Sequence, residues 1–144
     1  MPLLAFALSM RGQHGTFYVP LHIFGNRNGC TGNATAPLIN AGNAGDREIL
    51  VGGLIPNASF ARAGNFVQFS SHDKVYMLVA DVVPNAGGIA SLMVEPALSF
   101  PVQLGGMAKF DAISARVRYA TDDHVMDMQP GEFVTYSAEF VEAL

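Results

Sequence analysis

Polar and apolar residues alternate from Phe133 to Val141. Val134, Tyr136, Ala138 and Phe140 fall on one face, and Thr135, Ser137 and Glu139 on the other. A period of two predicts a half-buried strand with one wet face. Ser114–Tyr119 (SARVRY) alternates charge with apolar residues in the same way. Shorter β-branched and aromatic runs predict further strands at Thr16–Val19, closed by Pro20, at Glu48–Val51, closed by Gly52-Gly53, and at Phe66–Phe69, after the turn Ala63-Gly64-Asn65. The stretch KVYMLVADVVPNAGGIASLMVEP, Lys74 to Pro96, departs from the alternation. Its arms, Lys74–Val83 and Gly88–Val94, flank a Pro-Asn-Ala-Gly-Gly centre and predict a hairpin with a five-residue turn. Val75, Met77 and Val79 lie on one face and Tyr76, Leu78 and Val82 on the other, so both faces are expected to need cover.

Two segments lack strand periodicity. The apolar run Leu3–Met10 is about two turns of helix, with Pro2 suited to a first turn and Gly12 to a stop. It is too short to span a membrane, and no basic region precedes it as in a signal peptide. The reading is a short amphipathic or buried helix ending at Arg11-Gly12. Gly25–Gly45 (GNRNGCTGNATAPLINAGNAG) is rich in Gly and Asn, the residues of left-handed turns. It reads as a flexible surface loop or as an arm that orders against a neighbouring subunit, with TAPLIN able to pair as a short strand. No internal repeat and no second helix are evident. The expected fold is mainly β: a single β-barrel or β-sandwich domain over 1–144, with a short N-terminal helix (1–12) and a long Gly/Asn-rich loop (25–45).

Composition adds a surface argument. Of 144 residues, 50% are hydrophobic and only 14% charged, where about a quarter is usual. A surface so short of charge is expected to meet another chain. The net charge is −4, and the eight Lys and Arg are scattered, which argues against nucleic acid as a partner. The one cysteine, Cys30, allows no internal disulfide and reads as a plain thiol in a reducing compartment or a protein indifferent to redox state.

Candidate chemistry is sparse. His14, His22, His72 and His124 stand in no metal-ligand spacing and read as turn or packing residues. Asp122-Asp123-His124 with Asp127 is the densest acidic cluster, but its spacing fits no calcium loop, and an exposed turn between strands is the better reading. There is no GxSxG, and Gly87-Gly88 and Gly105-Gly106 lack the Lys and Ser/Thr of a phosphate loop. Asp81 and Glu95 are strand-end carboxylates with no evident base or orienting partner. The expectation is no enzyme, no catalytic residue, no metal and no cofactor.

Three segments, in order, resemble the distal-tail or baseplate-type minor tail proteins of tailed bacteriophages. The first is Met10-Arg-Gly-Gln-His-Gly-Thr-Phe17. The second joins Ala63-Gly-Asn-Phe-Val-Gln-Phe69, Lys74-Val-Tyr-Met-Leu-Val-Ala-Asp81 and Gly87-Gly-Ile-Ala-Ser-Leu-Met-Val-Glu-Pro96. The third runs from Tyr119-Ala-Thr-Asp-Asp-His-Val-Met-Asp127 through Pro130-Gly-Glu-Phe133 to Leu144. Together they cover most of the chain. Asn65 stands where the family has Asp, and Ala97 where it has a second Pro; relatives also carry a longer part before the helix. The resemblance implies a structural virion protein, assembled in the host cytoplasm. It would form a ring with copies of itself, of hexameric symmetry, that links the tail tube to hub, fibre or other receptor-binding proteins, with no insertion in a membrane.

A host-adhesion or carbohydrate-binding β-module of the tail is the alternative. Such a module would want exposed aromatics on one face, and the chain has no Trp. For a ring subunit, the residues expected at the assembly interface are Leu4, Phe6, Asn26, Asn28, Leu38, Ile39, Met77, Leu78, Leu92 and Met93.

Overall fold

The computed structural model describes residues 5, 9, 14–21, 27, 30–121, 125–128 and 134–144. Contacts gather these into two compact units, one of residues 20–115 and the other of 1–19 with 116–144. Eleven strands run β1 (Phe17–Pro20), β2 (Thr35–Pro37), β3 (Glu48–Val51), β4 (Phe66–Phe69), β5 (Val75–Leu78), β6 (Ala90–Glu95), β7 (Met107–Lys109), β8 (Ser114–Tyr119), β9 (Val125–Met128), β10 (Val134–Ser137) and β11 (Phe140–Glu142). The mainly β, barrel-like class expected from the sequence is what the chain adopts.

The unit of residues 20–115 is built on a six-stranded antiparallel sheet in the order β2-β7-β4-β5-β6-β3. The sheet curls until its two outer strands meet at an antiparallel bridge, Leu38↔Val51. The Ile39 N–H donates to Leu50 O (3.0 Å) and the Gly52 N–H to Pro37 O (3.0 Å), while the Leu50 N–H donates to Asn40 Oδ1 (2.8 Å). These bonds occupy backbone groups that an open edge would offer to other chains. Alternation then sorts the side chains. Ala36, Ile49, Val51, Val67, Phe69, Tyr76, Leu78, Leu92, Val94 and Ala108 are buried within the barrel, together with Leu38, Phe60, Leu98 and Phe110 from the connections. Each large side chain taken from water this way contributes roughly 1.5–3 kcal/mol.

Three barrel strands are entered through the same turn. In Asn43-Ala-Gly-Asp46, Arg62-Ala-Gly-Asn65 and Gln103-Leu-Gly-Gly106 the last N–H donates to the first carbonyl at 3.1, 3.0 and 3.0 Å. The third residue is always glycine at positive φ: 97° at Gly45, 89° at Gly64 and 81° at Gly105, as a type II turn requires. Its N–H donates to the carbonyl of a buried leucine on a neighbouring segment: Leu98 (2.7 Å), Leu78 (2.8 Å) and Leu38 (2.9 Å). The same leucine returns its N–H to the carbonyl of the residue after the glycine: Asp46, Asn65 and Gly106. The side chains of Asp46 and Asn65 also accept the N–H of the turn's first residue, at 2.7 and 2.8 Å. Asn65 therefore performs with an amide oxygen what Asp46 performs with a carboxylate.

In the other unit β1, β8 from Arg116 onward, and β11 form a three-stranded sheet in the order β1-β8-β11, and β9 pairs with β10. Phe17, Tyr119 and Phe140 cluster in tilted and edge-to-face contacts, with ring centroids 5.1 to 5.8 Å apart.

Several sequence expectations are corrected here. The arm expected over Lys74–Val83 is a strand only at Val75–Leu78, because Val82 leaves the hairpin to pair with Ala61. The arms are antiparallel neighbours (Met77↔Glu95, Leu78↔Val94), but the connection runs from Val79 to Ile89 and contains the expected turn. Asn85 organises that turn: its Oδ1 accepts the N–H groups of Gly87 and Ile89. The strand expected over Phe133–Val141 is two, broken at Ala138-Glu139. In the Gly/Asn-rich stretch the short strand expected within TAPLIN is present at Thr35–Pro37 and belongs to the barrel wall. Thr35–Pro37 pairs with Lys109–Met107, and Gly42 bridges Val102. Strands β7 and β9 were not expected, and the second of them holds Asp127 of the supposed acidic turn. The rest of that turn, Asp122-Asp123-His124, and His22 lie outside the described residues. Of the expected N-terminal helix only Ala5 and Ser9 are described, and both are helical.

Candidate assembly surface

The register that sends Tyr76 and Leu78 into the barrel sends Met77 outward, opposite Phe66 on β4. Val79 follows on the same outer side and donates its N–H to Met93 O (2.9 Å). Met77, Val79 and Met93 are 42%, 50% and 37% exposed, and Phe66 is half-buried. They form an apolar strip across β4, β5 and β6. Its border is polar: Glu48, the Cα partner of Met93, accepts from Ser91 Oγ (2.7 Å), and Arg47 pairs with Glu95. An apolar centre with a polar, solvated rim is how protein interfaces are built.

Within this chain one face of the hairpin fills the barrel, and the other, expected to need cover as well, is left exposed. The residues expected at an interface divide accordingly. Met77, Met93 and Ile39 are exposed. Leu38, Leu78 and Leu92 are 2%, 0% and 0% exposed and belong to the barrel core, so they offer nothing to a partner. Leu4, Phe6, Asn26 and Asn28 lie outside the described residues. Val79 was not among the residues expected there, although the alternation that marks Met77 also marks it.

Arg27 is the other residue whose role the sequence concealed. Its guanidinium donates to Phe60 O (2.9 Å) and Gly32 O (3.0 Å), lies 4.5 Å from the centre of the Phe60 ring, and has Nε 3.8 Å from Asp111 Oδ2. With Thr31, whose N–H and hydroxyl both donate to Ser59 O, it ties the start of the Gly/Asn-rich stretch to the barrel.

The strand-end carboxylates have local structural partners. Asp81 Oδ1 accepts the Ala63 N–H (2.9 Å), and Glu95 pairs with Arg47. His72 packs among Phe69, Tyr76 and Phe100, with centroids 5.2 to 6.2 Å away. Among the described residues no three of His, Cys, Asp and Glu gather closely enough to hold a metal ion, and no helix is long and apolar enough to cross a membrane. No protein-family model matches the chain, and no curated protein matches it either.

Proposed function

We propose that the protein is a structural component of a tailed-phage virion. In this reading it is a ring subunit of distal-tail or baseplate type that joins the tail tube to the receptor-binding apparatus. The identification rests on the ordered motifs of the sequence. The observation that supports it is the apolar strip of Phe66, Met77, Val79 and Met93 on the outer barrel wall, bordered by Glu48 and the Arg47–Glu95 pair. A rigid wall of this kind works by being covered. A heterologous contact, strip to a different patch on the next copy, closes into a ring when the rotation divides the circle. The subunit then acts through assembly and not through turnover.

Two measurements test the reading. Purified protein viewed by negative-stain electron microscopy at rising concentration is expected to show rings. Antibody raised against it is expected to label one end of phage tails. A monodisperse monomer at high concentration, together with tails that take no label, would sink it.

A further inference from the structure

Beside the apolar strip the outer wall of the barrel has a different chemistry. Beside the β4–β5 turn lies a groove of about 540 Å³, lined by Thr35, Gln68, Phe69, Ser70, Ser71, His72, Asp73, Met107 and Lys109. This size is in the range of small-molecule sites. Thr35, Lys109 and Gln68 form one row across β2, β7 and β4, because Lys109 is the Cα partner of both others.

Three polar groups of the groove, those of Gln68, Ser70 and Lys109, are held in place before any ligand arrives. Gln68 Nε2 donates to Asp73 O (2.8 Å) and Ser114 O (3.1 Å), which fixes the amide plane and leaves Oε1 as an acceptor. Ser70 Oγ accepts the Met107 N–H (3.0 Å), so its own proton can be donated. Lys109 Nζ donates to Ala112 O (3.0 Å) and keeps further protons. Thr35 and Ser71 are exposed hydroxyls. Preorganised groups of this kind lose little entropy on binding.

We propose that this groove binds a saccharide. A bare anion can only accept and would leave the Gln68 Oε1 acceptor unmatched; a cation would be repelled by Lys109. A sugar hydroxyl both donates and accepts, which suits closely spaced Thr, Ser and Gln groups beside the Lys109 ammonium. The exposed side chain of Met107 supplies the apolar contact for the C–H face of the ring that an aromatic residue would otherwise give. The row of Thr35, Lys109 and Gln68 adjoins the Met77 strip on the same outer face, since Phe66 and Gln68 alternate with the buried Val67 on β4, but saccharide binding by the chain can be measured whether or not it forms a ring.

The test is an amide NMR titration of the full chain with glucose, galactose, rhamnose and N-acetylglucosamine, each as monomer and short oligomer, with sodium acetate and phosphate as controls. At least one sugar is expected to move the amides of Thr35, Gln68, Ser70, Ser71 and Lys109 in a saturable way. The Thr35→Val/Ser71→Ala variant, with an otherwise unchanged spectrum, is expected to bind it roughly tenfold more weakly. Ser71→Ala alone, at an exposed site, gives a milder variant in which weakened binding is still expected. No movement with any sugar, unchanged affinity in both variants, or the same movement with acetate or phosphate overturns the proposal.

Discussion

Gly64 and Gly88 show two different demands met by one residue type. Both have positive φ, 89° and 70°. A Cβ at Gly64 would meet nothing within 4 Å, whereas at Gly88 it would stand 2.5 Å from the Leu54 carbonyl oxygen. Gly64→Ala is therefore expected to cost only the left-handed strain, about 1–2 kcal/mol. Gly88→Ala adds a backbone clash and is expected to cost roughly 3 kcal/mol or more. Urea unfolding of both variants checks the difference, and equal midpoints would contradict it. Asn65 carries a related prediction. Asn65→Ala leaves the Arg62 N–H without the acceptor it has at 2.8 Å, and a loss of about 1–2 kcal/mol is expected in the same assay.

At the scale of elements, Arg27 is the feature to perturb. Arg27→Met keeps an unbranched apolar stem but removes both carbonyl contacts and the charge facing Asp111. Hydrogen exchange at Thr31, whose amide donates to Ser59 O, is expected to speed up by roughly tenfold or more, since bonds from a charged donor contribute about 1.5–3 kcal/mol. The amides that pair β3 with β6 are expected to keep their protection. Equal loosening of both would mean that Arg27 supports the barrel as a whole.

The same elements show what alternation could and could not reveal. Glu48–Val51, Phe66–Phe69 and Ser114–Tyr119 were legible to the residue because each is a run of strand formers between turn residues. Strand β7, Met-Ala-Lys, is too short for a period, and its pairing with β2 and β4 is made by distant partners. Val82 looked like more of β5 because its tie to Ala61 is a tertiary choice no local pattern carries. Of the recurrent turn the copy at Ala63-Gly64-Asn65 was legible; the third copy, Gln103-Leu-Gly-Gly106, shares only the glycine in the third place, and the common element is the clasp on a leucine elsewhere in the sequence.

At the scale of the whole molecule, the shortage of charge was read as a covered surface, but apolar residues were assigned to it without regard to face. Leu38, Leu78 and Leu92 are apolar because they fill the barrel; Met77, Val79 and Met93 are apolar on its outer wall. Which side of a strand faces inward is set by how the sheet curls, and its outer strands meet at Leu38↔Val51, a pairing that neither composition nor period reveals. Only the outer set is open to the contact that the proposed ring requires.

Neighbouring residues of one strand separate the two roles. Met77→Ser and Leu78→Ser would be compared by thermal unfolding and by sedimentation velocity. Leu78→Ser is expected to lose about 3 kcal/mol or more of stability, as a buried large side chain replaced by a small polar one does. Met77→Ser is expected to unfold at the wild-type temperature within the small range of surface changes, yet to sediment as a smaller species than the wild type at the same concentration. If Met77→Ser destabilises the chain as much as Leu78→Ser, or sediments as the wild type does, the division of this strand into a core face and an assembly face is wrong.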